Sequence, residues 1–435
     1  MINHLTTLLH GRPIGLVSED NGRLSFTYDE AWRSDAQAFP LSLSMPLDTG
    51  DQSPIHSHSK IEAFLWGLLP DNDRILTAWS RRFQVSSQSV FDLIANVGED
   101  CAGAVQFVRP ERLDAFLSDP RQSEVAWLSE TDVALRLRAL HADPSAWRLE
   151  QDKGQFTLSG VLPKIALCRD AGKWGVPYGL LPTTHVLKPP ASGWAGHSEN
   201  EHFCLSLAKA AGLHVPDSSV LHIGNEVAIL LDRYDRITMP ANAGQPERWA
   251  RIHQEDMCQS VGLHPAGRYE INGGPGVVRI AELIREHCAN PEDDVLRFVD
   301  AIVYNWLIGG IERHSKNYSF LIGPGSKVSL APMYDPASVL HDRSVDPRNI
   351  KLAMQIGGEF SLRYIGMRNW QKLASEINID EEYLVDRIRE LADSLFDHAL
   401  QVEQDIESEG GAHPTLPGLA GGLKARAAAC RRLMH

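Results

Sequence analysis

Leu307-Ile308-Gly309-Gly310-Ile311-Glu312-Arg313-His314-Ser315-Lys316-Asn317, followed eighteen residues after Asn317 by Asp335 in Pro332-Met333-Tyr334-Asp335, decides how this chain is read. An acid five positions ahead of an Asn can sit beside an acceptor hydroxyl while the Asn amide oxygen ligates magnesium. A downstream Asp then adds a charged ligand. Magnesium prefers oxygen, and Asn317 with Asp335 offers one neutral and one anionic oxygen. Lys316 can neutralise charge on a phosphoryl group in transfer, and His314 can order the loop by hydrogen bonding. The plainer alternative is a polar turn after an apolar helix. One residue departs from the pattern: the first acid is Glu312, where loops of this spacing carry Asp.

Upstream, the apolar stretch Ala301 to Ile311 is interrupted and too short to span a bilayer, so it reads as a buried helix. Further back the chain is β-rich. Phe156-Thr157-Leu158, Ile165 to Cys168, His185 to Lys188, Val220 to His222 and Ala228 to Leu231 read as strands of one antiparallel sheet. A helix from Glu201 to Ala211 among them stops at Gly212. After Arg236 the pattern turns helical, over 255–261, 277–288, 293–308, 364–377, 381–407 and 423–434. At the N-terminus a hairpin crosses Glu19-Asp20-Asn21-Gly22, and a helix from Ile61 to Leu69 halts at Pro70-Asp71-Asn72-Asp73. The fold class expected is therefore α+β, with a bilobal protein-kinase-like arrangement. It comprises an N-terminal subdomain (1–110), a β-rich lobe (111–236) and an all-helical lobe (237–435) carrying the catalytic candidates.

The β-rich lobe holds three further candidates. Ser159-Gly160-Val161-Leu162-Pro163-Lys164 lies between two expected strands, where backbone N–H groups could face phosphates with Lys164 close by. It has no Gly-Lys-Ser/Thr, and taken alone it is better accounted for by an ordinary hairpin turn. Lys188 ends a strand and can hold ATP phosphates, with Glu201 on the next helix holding the Lys in turn. The plain readings are an exposed strand-end charge and a first-turn acid favoured by the helix dipole. Asp232-Arg233-Tyr234 follows the last strand, where a hinge would offer its backbone to an adenine edge and Tyr234 as a wall, or where a simple connector would run.

Composition narrows the class. With 43% hydrophobic and 23% charged residues the chain reads as globular, and its net charge of -14 argues against broad attraction to nucleic acid or anionic membrane. Lys424, Arg426, Arg431 and Arg432 read as a solvated helix face. The six cysteines form no CxxC pair, so reduced thiols in a cytoplasmic protein are expected, and no basic-then-apolar leader opens the chain. His56 and His58 sit in a Ser-rich segment that reads as a solvated loop rather than a metal site.

Taken together, these segments resemble the HipA family of bacterial Ser/Thr kinases, toxins of toxin–antitoxin modules. The resemblance is carried by Ser159 to Lys164, Pro182 to Lys188, Asn200-Glu201, Asp232 to Arg236, Gln254 to Gln259, Gly273 to Gly276, His314 to Asn317, Tyr334-Asp335 and Lys351 to Met354. Pro40 to Leu47 and Leu68-Leu69-Pro70-Asp71-Asn72 extend it into the first 110 residues.

The resemblance implies Mg-ATP binding by Ser159, Gly160, Val161, Leu162, Pro163, Lys164, Lys188, Asp232, Arg233, Tyr234, His314, Ser315, Lys316, Asn317, Tyr334 and Asp335, with Asn317 and Asp335 as metal ligands. It also implies phosphorylation of an aminoacyl-tRNA synthetase, notably glutamyl-tRNA synthetase, which stalls translation and favours persistence. Self-phosphorylation in the Gly-rich loop, at Thr157 or Ser159, belongs to the same expectation, as does a small helix-turn-helix antitoxin that contacts operator DNA.

Glu312 stands where this family has its catalytic Asp. One extra carbon moves the carboxylate by roughly 1.5 Å, and misplacement by about 1 Å can cost ~100-fold in rate. Three readings stay open: a kinase with an adapted loop, a weak or dead ATP-binding pseudokinase, and an introduced inactivating substitution. A kinase of small metabolites is a more distant alternative.

Overall fold

Antiparallel pairing dominates the first half of the computed structural model, which describes residues 3–48, 55–118, 124–149, 152–190, 196–240, 248–342 and 344–433. The N-terminal subdomain is a five-stranded sheet in the order Ile55–His56, Arg23–Tyr28, Arg12–Asp20, Asn3–Leu9, Val105–Val108. Helices His58–Leu68, Asp73–Phe83 and Val90–Val97 belong to the same part of the chain. Phe26, Phe64, Leu65 and Phe107 are buried there. His56 is also buried and stacks against Phe26, so it is a core side chain and not part of a solvated loop.

The second sheet has six strands, ordered Ser218–Ile223, Glu226–Asp232, His185–Lys188, Ile165–Asp170, Lys173–Pro177, Val125–Leu128. Leu187 lies opposite both Ile165 and Leu230, which sets Lys188 at the strand's end opposite Ile229. Helix His197–Ala210 follows and buries Phe203, Leu207 and Ala208. Phe156-Thr157-Leu158, expected as a strand, is not one. Its backbone is used across domains instead: the Thr157 N–H donates to the Asp100 carbonyl (2.9 Å), and the Thr157 hydroxyl to the Leu68 carbonyl (2.9 Å).

The chain is α+β and two-lobed, but the second lobe is not helical throughout. A three-stranded sheet, His253–Asp256, Ser319–Gly323 and Lys327–Leu330, and a hairpin, Lys351–Ile356 with Glu359–Ser361, are set among its helices. These strands are three to six residues long, too short to stand out as periodic patterns. A further two-stranded pair, Arg236–Met239 with Arg248–Arg251, stands at the start of the lobe, and its main helices are Val277–His287, Pro291–Ile308, Met367–Glu376, Glu381–Ser408 and Leu416–Leu433. Met434, the expected end of the last helix, lies outside the described residues.

Helix Pro291–Ile308 positions the site. Pro291 starts it, three acids occupy its first turn where the helix dipole favours them, and Gly309 ends it at φ 64°. Phe298, Val303, Tyr304, Trp306 and Leu307 are fully buried, and Trp306 meets Trp370 edge to face at 5.3 Å. A side chain at residue 310 would collide with Asn305 Oδ1, 2.1 Å from the Cβ position, while the Asn305 amide donates to the Gly310 carbonyl (2.9 Å). The consecutive glycines thus turn the chain sharply out of the core into the Glu312–Asn317 loop.

Candidate active site

The loop after Gly310 is fastened from beneath by Arg313, which the sequence reading passed over. Its guanidinium is buried and donates to the carbonyls of Tyr334 (2.5 Å) and Asn317 (3.1 Å), tying the loop to the segment that carries Asp335. The Tyr334 hydroxyl donates to the Lys316 carbonyl (2.7 Å), closing the same joint from the other side. A buried Arg satisfied by carbonyls on two segments fixes their separation, and that separation sets the distance between Asn317 and Asp335. An Arg directly after the acidic position was the available signal.

Asp335 adopts φ 61°, a left-handed conformation that costs a non-glycine residue energy and is retained where the surroundings enforce it. Its carboxylate accepts from Lys188 Nζ (2.6 Å) and from the Asn317 amide nitrogen (3.2 Å). Lys188 also donates to Glu201 Oε1 (2.7 Å), so one buried ammonium bridges a strand end, the second turn of a helix and the Asp335 segment; the helix begins at His197, four residues earlier than expected, and Glu199 is its first-turn acid. The Asp335 side chain is 41% exposed; partial desolvation pushes its carboxyl up, but the ammonium groups of Lys188 and Lys164 outweigh this and hold it well below the usual range. Glu201 is 1% exposed, and burial pushes its carboxyl up to about 7, with the Lys188 charge opposing.

The residues fit a magnesium–nucleotide pair. Asn317 Oδ1 is buried with no hydrogen-bond partner, beside the ionised Asp335. An orphaned neutral oxygen next to a carboxylate is what a hard cation that keeps phosphate and water ligands requires of a protein. Among the described residues no three His, Cys, Asp or Glu side chains cluster as a metal cage.

His314 is bonded to Arg268, a contact of the loop-ordering kind. Burial and the Arg268 charge lower its pKa to about 4, so the ring is neutral. Its Nε2 accepts from Arg268 Nε (3.1 Å), which leaves the proton on Nδ1, and Nδ1 is buried without a partner. Lys164 donates to the Ser159 carbonyl (2.5 Å), and burial, with the Lys188 charge, lowers its ammonium to about 8. It is therefore charged below that pH and neutral above it. We expect ATP affinity to fall severalfold as pH rises through 8, with the slope removed in Lys164→Arg, read by titrating a fluorescent nucleotide at pH 7 and 9.

Several expected site residues have other tasks. Arg233 turns its side chain into a buried network with Asp235 (2.7 Å), Thr183 (2.8 Å) and the Cys101 carbonyl (2.9 Å), and its backbone is engaged too, the N–H donating to the Thr184 carbonyl (3.0 Å) and the carbonyl accepting from the Arg236 N–H (3.1 Å). Asp232 is more than half exposed and lies 3.3 Å from His185. Tyr234 stacks on Tyr334 with ring centres 5.4 Å apart and bonds Gln254, so the two aromatic candidates do come together. Leu162 lines a small cavity with Pro70, Trp79 and Trp147, beneath the Gly-rich loop, whereas Val161 is half exposed. Nothing in the structure assigns Pro163 a contact with a nucleotide. Ser315 is buried and donates to the Arg268 carbonyl (2.7 Å), a loop-fixing role.

Lys316, expected as a charge-neutralising group, has its ammonium buried against both carboxylate oxygens of Asp71 (2.8 Å each). Glu312 is exposed and accepts from the Tyr269 hydroxyl (2.7 Å). Neither Asp71 nor Tyr269 was singled out as a site residue, since each lies far from the loop in sequence.

Known proteins resemble this chain over most of its length. The family model described as HipA-like C-terminal domain matches residues 156–399, and that of the HipA N-terminal domain matches residues 5–108. The chain is 32% identical over 401 residues to the Sinorhizobium fredii protein named "Putative kinase Y4mE", covering 91% of this chain and 90% of that one. It is 31% identical over 374 residues to the serine/threonine-protein kinase toxin HipA of Shewanella oneidensis, covering 82% and 78%. A solved Shewanella oneidensis complex of HipA, HipB and operator DNA superposes with TM-score 0.81 at 25% identity, over 99% of this chain and 98% of that one.

Proposed function

This chain belongs to the HipA family, and on that premise we propose that it is a magnesium-dependent serine/threonine protein kinase acting as the toxin of a toxin–antitoxin pair. It transfers the ATP γ-phosphoryl group to a hydroxyl on a translation component such as glutamyl-tRNA synthetase, which slows translation and favours persistence. The observation that carries the reading is Asn317 Oδ1, buried and unpaired beside an Asp335 gripped by Lys188.

Asn317 and Asp335 would hold magnesium, which neutralises phosphate charge when bound with ATP. Lys188, kept cationic and aimed by Glu201, draws the phosphates toward them, with Lys164 and the His314 N–H as further donors. Tyr234 and Tyr334 wall the nucleotide. Glu312, steadied by Tyr269, accepts the proton of the acceptor hydroxyl. For self-phosphorylation, Ser159 is the more accessible hydroxyl, because Thr157 is 1% exposed and bonded to Leu68. The partner is a small helix-turn-helix antitoxin of the HipB kind; an acidic chain of net charge -14 leaves DNA contact to that partner.

A second reading, a nucleotide-binding pseudokinase that acts with the antitoxin, is favoured by one observation: the Glu312 carboxylate is engaged by Tyr269. Labelled ATP, magnesium and candidate synthetases separate the two, using the unmodified protein and Glu312→Asp side by side. Label on a synthetase or on the chain itself supports the kinase, and we expect Glu312→Asp to label about tenfold faster or more. No label from either protein, together with ATP-dependent thermal stabilisation, supports the pseudokinase.

A further inference from the structure

The turn Leu69-Pro70-Asp71-Asn72 of the N-terminal subdomain reaches two loops of the proposed nucleotide site at once. On one side, the Asp71 carboxylate accepts twice from Lys316, both at 2.8 Å. On the other, the Asp71 N–H donates to the Gly160 carbonyl (3.1 Å), Pro70 pairs with Gly160 in a β-bridge, and the Asn72 amide lies 3.4 Å from the Val161 carbonyl. The Thr157 hydroxyl donates to the Leu68 carbonyl one turn earlier. The Gly-rich loop is therefore carried by the N-terminal subdomain. No strand of the β-rich sheet contains residues 157–164.

The ion pair itself is a poor source of stability. The Lys316 and Asp71 side chains are 3% and 9% exposed, and at such depth desolvation consumes most of the attraction between two charges. What a buried pair does supply is registry, because only one geometry satisfies both ions. Among the described residues the hydrogen bonds of the ammonium go to Asp71, which takes it up with its two carboxylate oxygens. Here the fixed registry runs from Lys316, one residue before the magnesium ligand Asn317, through Asp71, to Gly160.

We propose that Asp71 is a positioning residue of the nucleotide site: through Lys316 it sets the Gly-rich loop at a fixed height over Asn317 and Asp335. The N-terminal subdomain thereby completes the site. This inference rests on the Mg-ATP reading above. Asp71 touches neither nucleotide nor acceptor and acts through the two loops it joins.

The test is magnesium-ATP affinity, by calorimetry on the full chain, with unfolding temperature measured on the same samples. In the paired variant Asp71→Leu/Lys316→Met, apolar side chains replace both ions and no charge is left buried alone. We expect it to unfold within a few degrees of the parent while its Kd for magnesium-ATP rises about tenfold. Asp71→Glu keeps the charge compensated but lengthens the arm, and is expected to raise Kd in the same direction by less. A role confined to stability moves the unfolding temperature and leaves Kd alone. A parental Kd in either folded variant overturns the proposal. Absence of magnesium-ATP binding by the parent protein overturns the functional reading and this inference with it; parental binding with unaltered variants overturns this inference only.

Discussion

Asp335→Asn is expected to lower magnesium-dependent phosphoryl transfer by about 10³-fold or more while leaving the chain folded. The substitution is nearly isosteric, and the Asn side chain can still accept from Lys188, which now donates to Asp335 at 2.6 Å. What disappears is the anionic oxygen beside Asn317, and with it the charge that pairs with a divalent ion. Lys188 keeps Glu201 as a counter-charge at 2.7 Å, so no ammonium is left buried alone. Label transfer from ATP, with circular dichroism to confirm folding, checks this. Full turnover by the folded variant would remove Asp335 from the metal role.

Lys188→Met is expected to fail in two separable ways. The ammonium lies between two carboxylates, and Glu201 is 1% exposed. Without its partner Glu201 is a buried acid, and breaking such a pair costs about 3–5 kcal/mol unless the acid takes up a proton. The sign follows from its titration. Glu201 already has a folded pKa of about 7 against an ordinary 4.5, and loss of Lys188 raises it further. A folded state that holds a proton the unfolded state has released loses stability as pH rises. The deficit of Lys188→Met should therefore be small near pH 5 and grow toward pH 8 in urea titrations. Adding Glu201→Gln should remove the pH-dependent deficit without restoring activity, since no ammonium faces the phosphates. Recovery of transfer in the double variant would assign Lys188 to stability alone.

What was legible in the sequence is local. The helix ending at Gly309, the loop Glu312 to Asn317 and Asp335 lie within thirty residues, and their spacing shows directly in the sequence. Lys188 and Glu201 were also legible as a pair, because a strand end and the start of the next helix are neighbours, although the helix begins at His197 and Glu201 lies in its second turn. The two-lobed α+β class followed from the change of pattern near Arg236, although short strands such as Lys327–Leu330 escaped it.

What was not legible depends on segments far apart in the chain. Asp71 and Lys316 are 245 positions apart, and no periodicity records that they meet. Phe156-Thr157-Leu158 alternates like a strand, yet its hydrogen bonds go to Asp100 and Leu68 in another subdomain. Arg233 sits where a hinge was expected, but the carboxylate of Asp235 two residues on draws its guanidinium into the interior. In the first two cases a polar side chain or backbone group found its partner across a domain boundary, where sequence spacing has no bearing; in the third the partner was near in sequence, but nothing in the pattern showed that the side chain turns inward.

The central claim is that Asn317, Asp335 and Lys188 form a magnesium–nucleotide site. Calorimetric titration of the unmodified protein with ATP, in magnesium and again in excess chelator, tests it most directly. The account predicts saturable binding of one ATP per chain that weakens at least about tenfold when magnesium is withdrawn. Absence of saturable binding at millimolar ATP, or binding indifferent to magnesium, would contradict it.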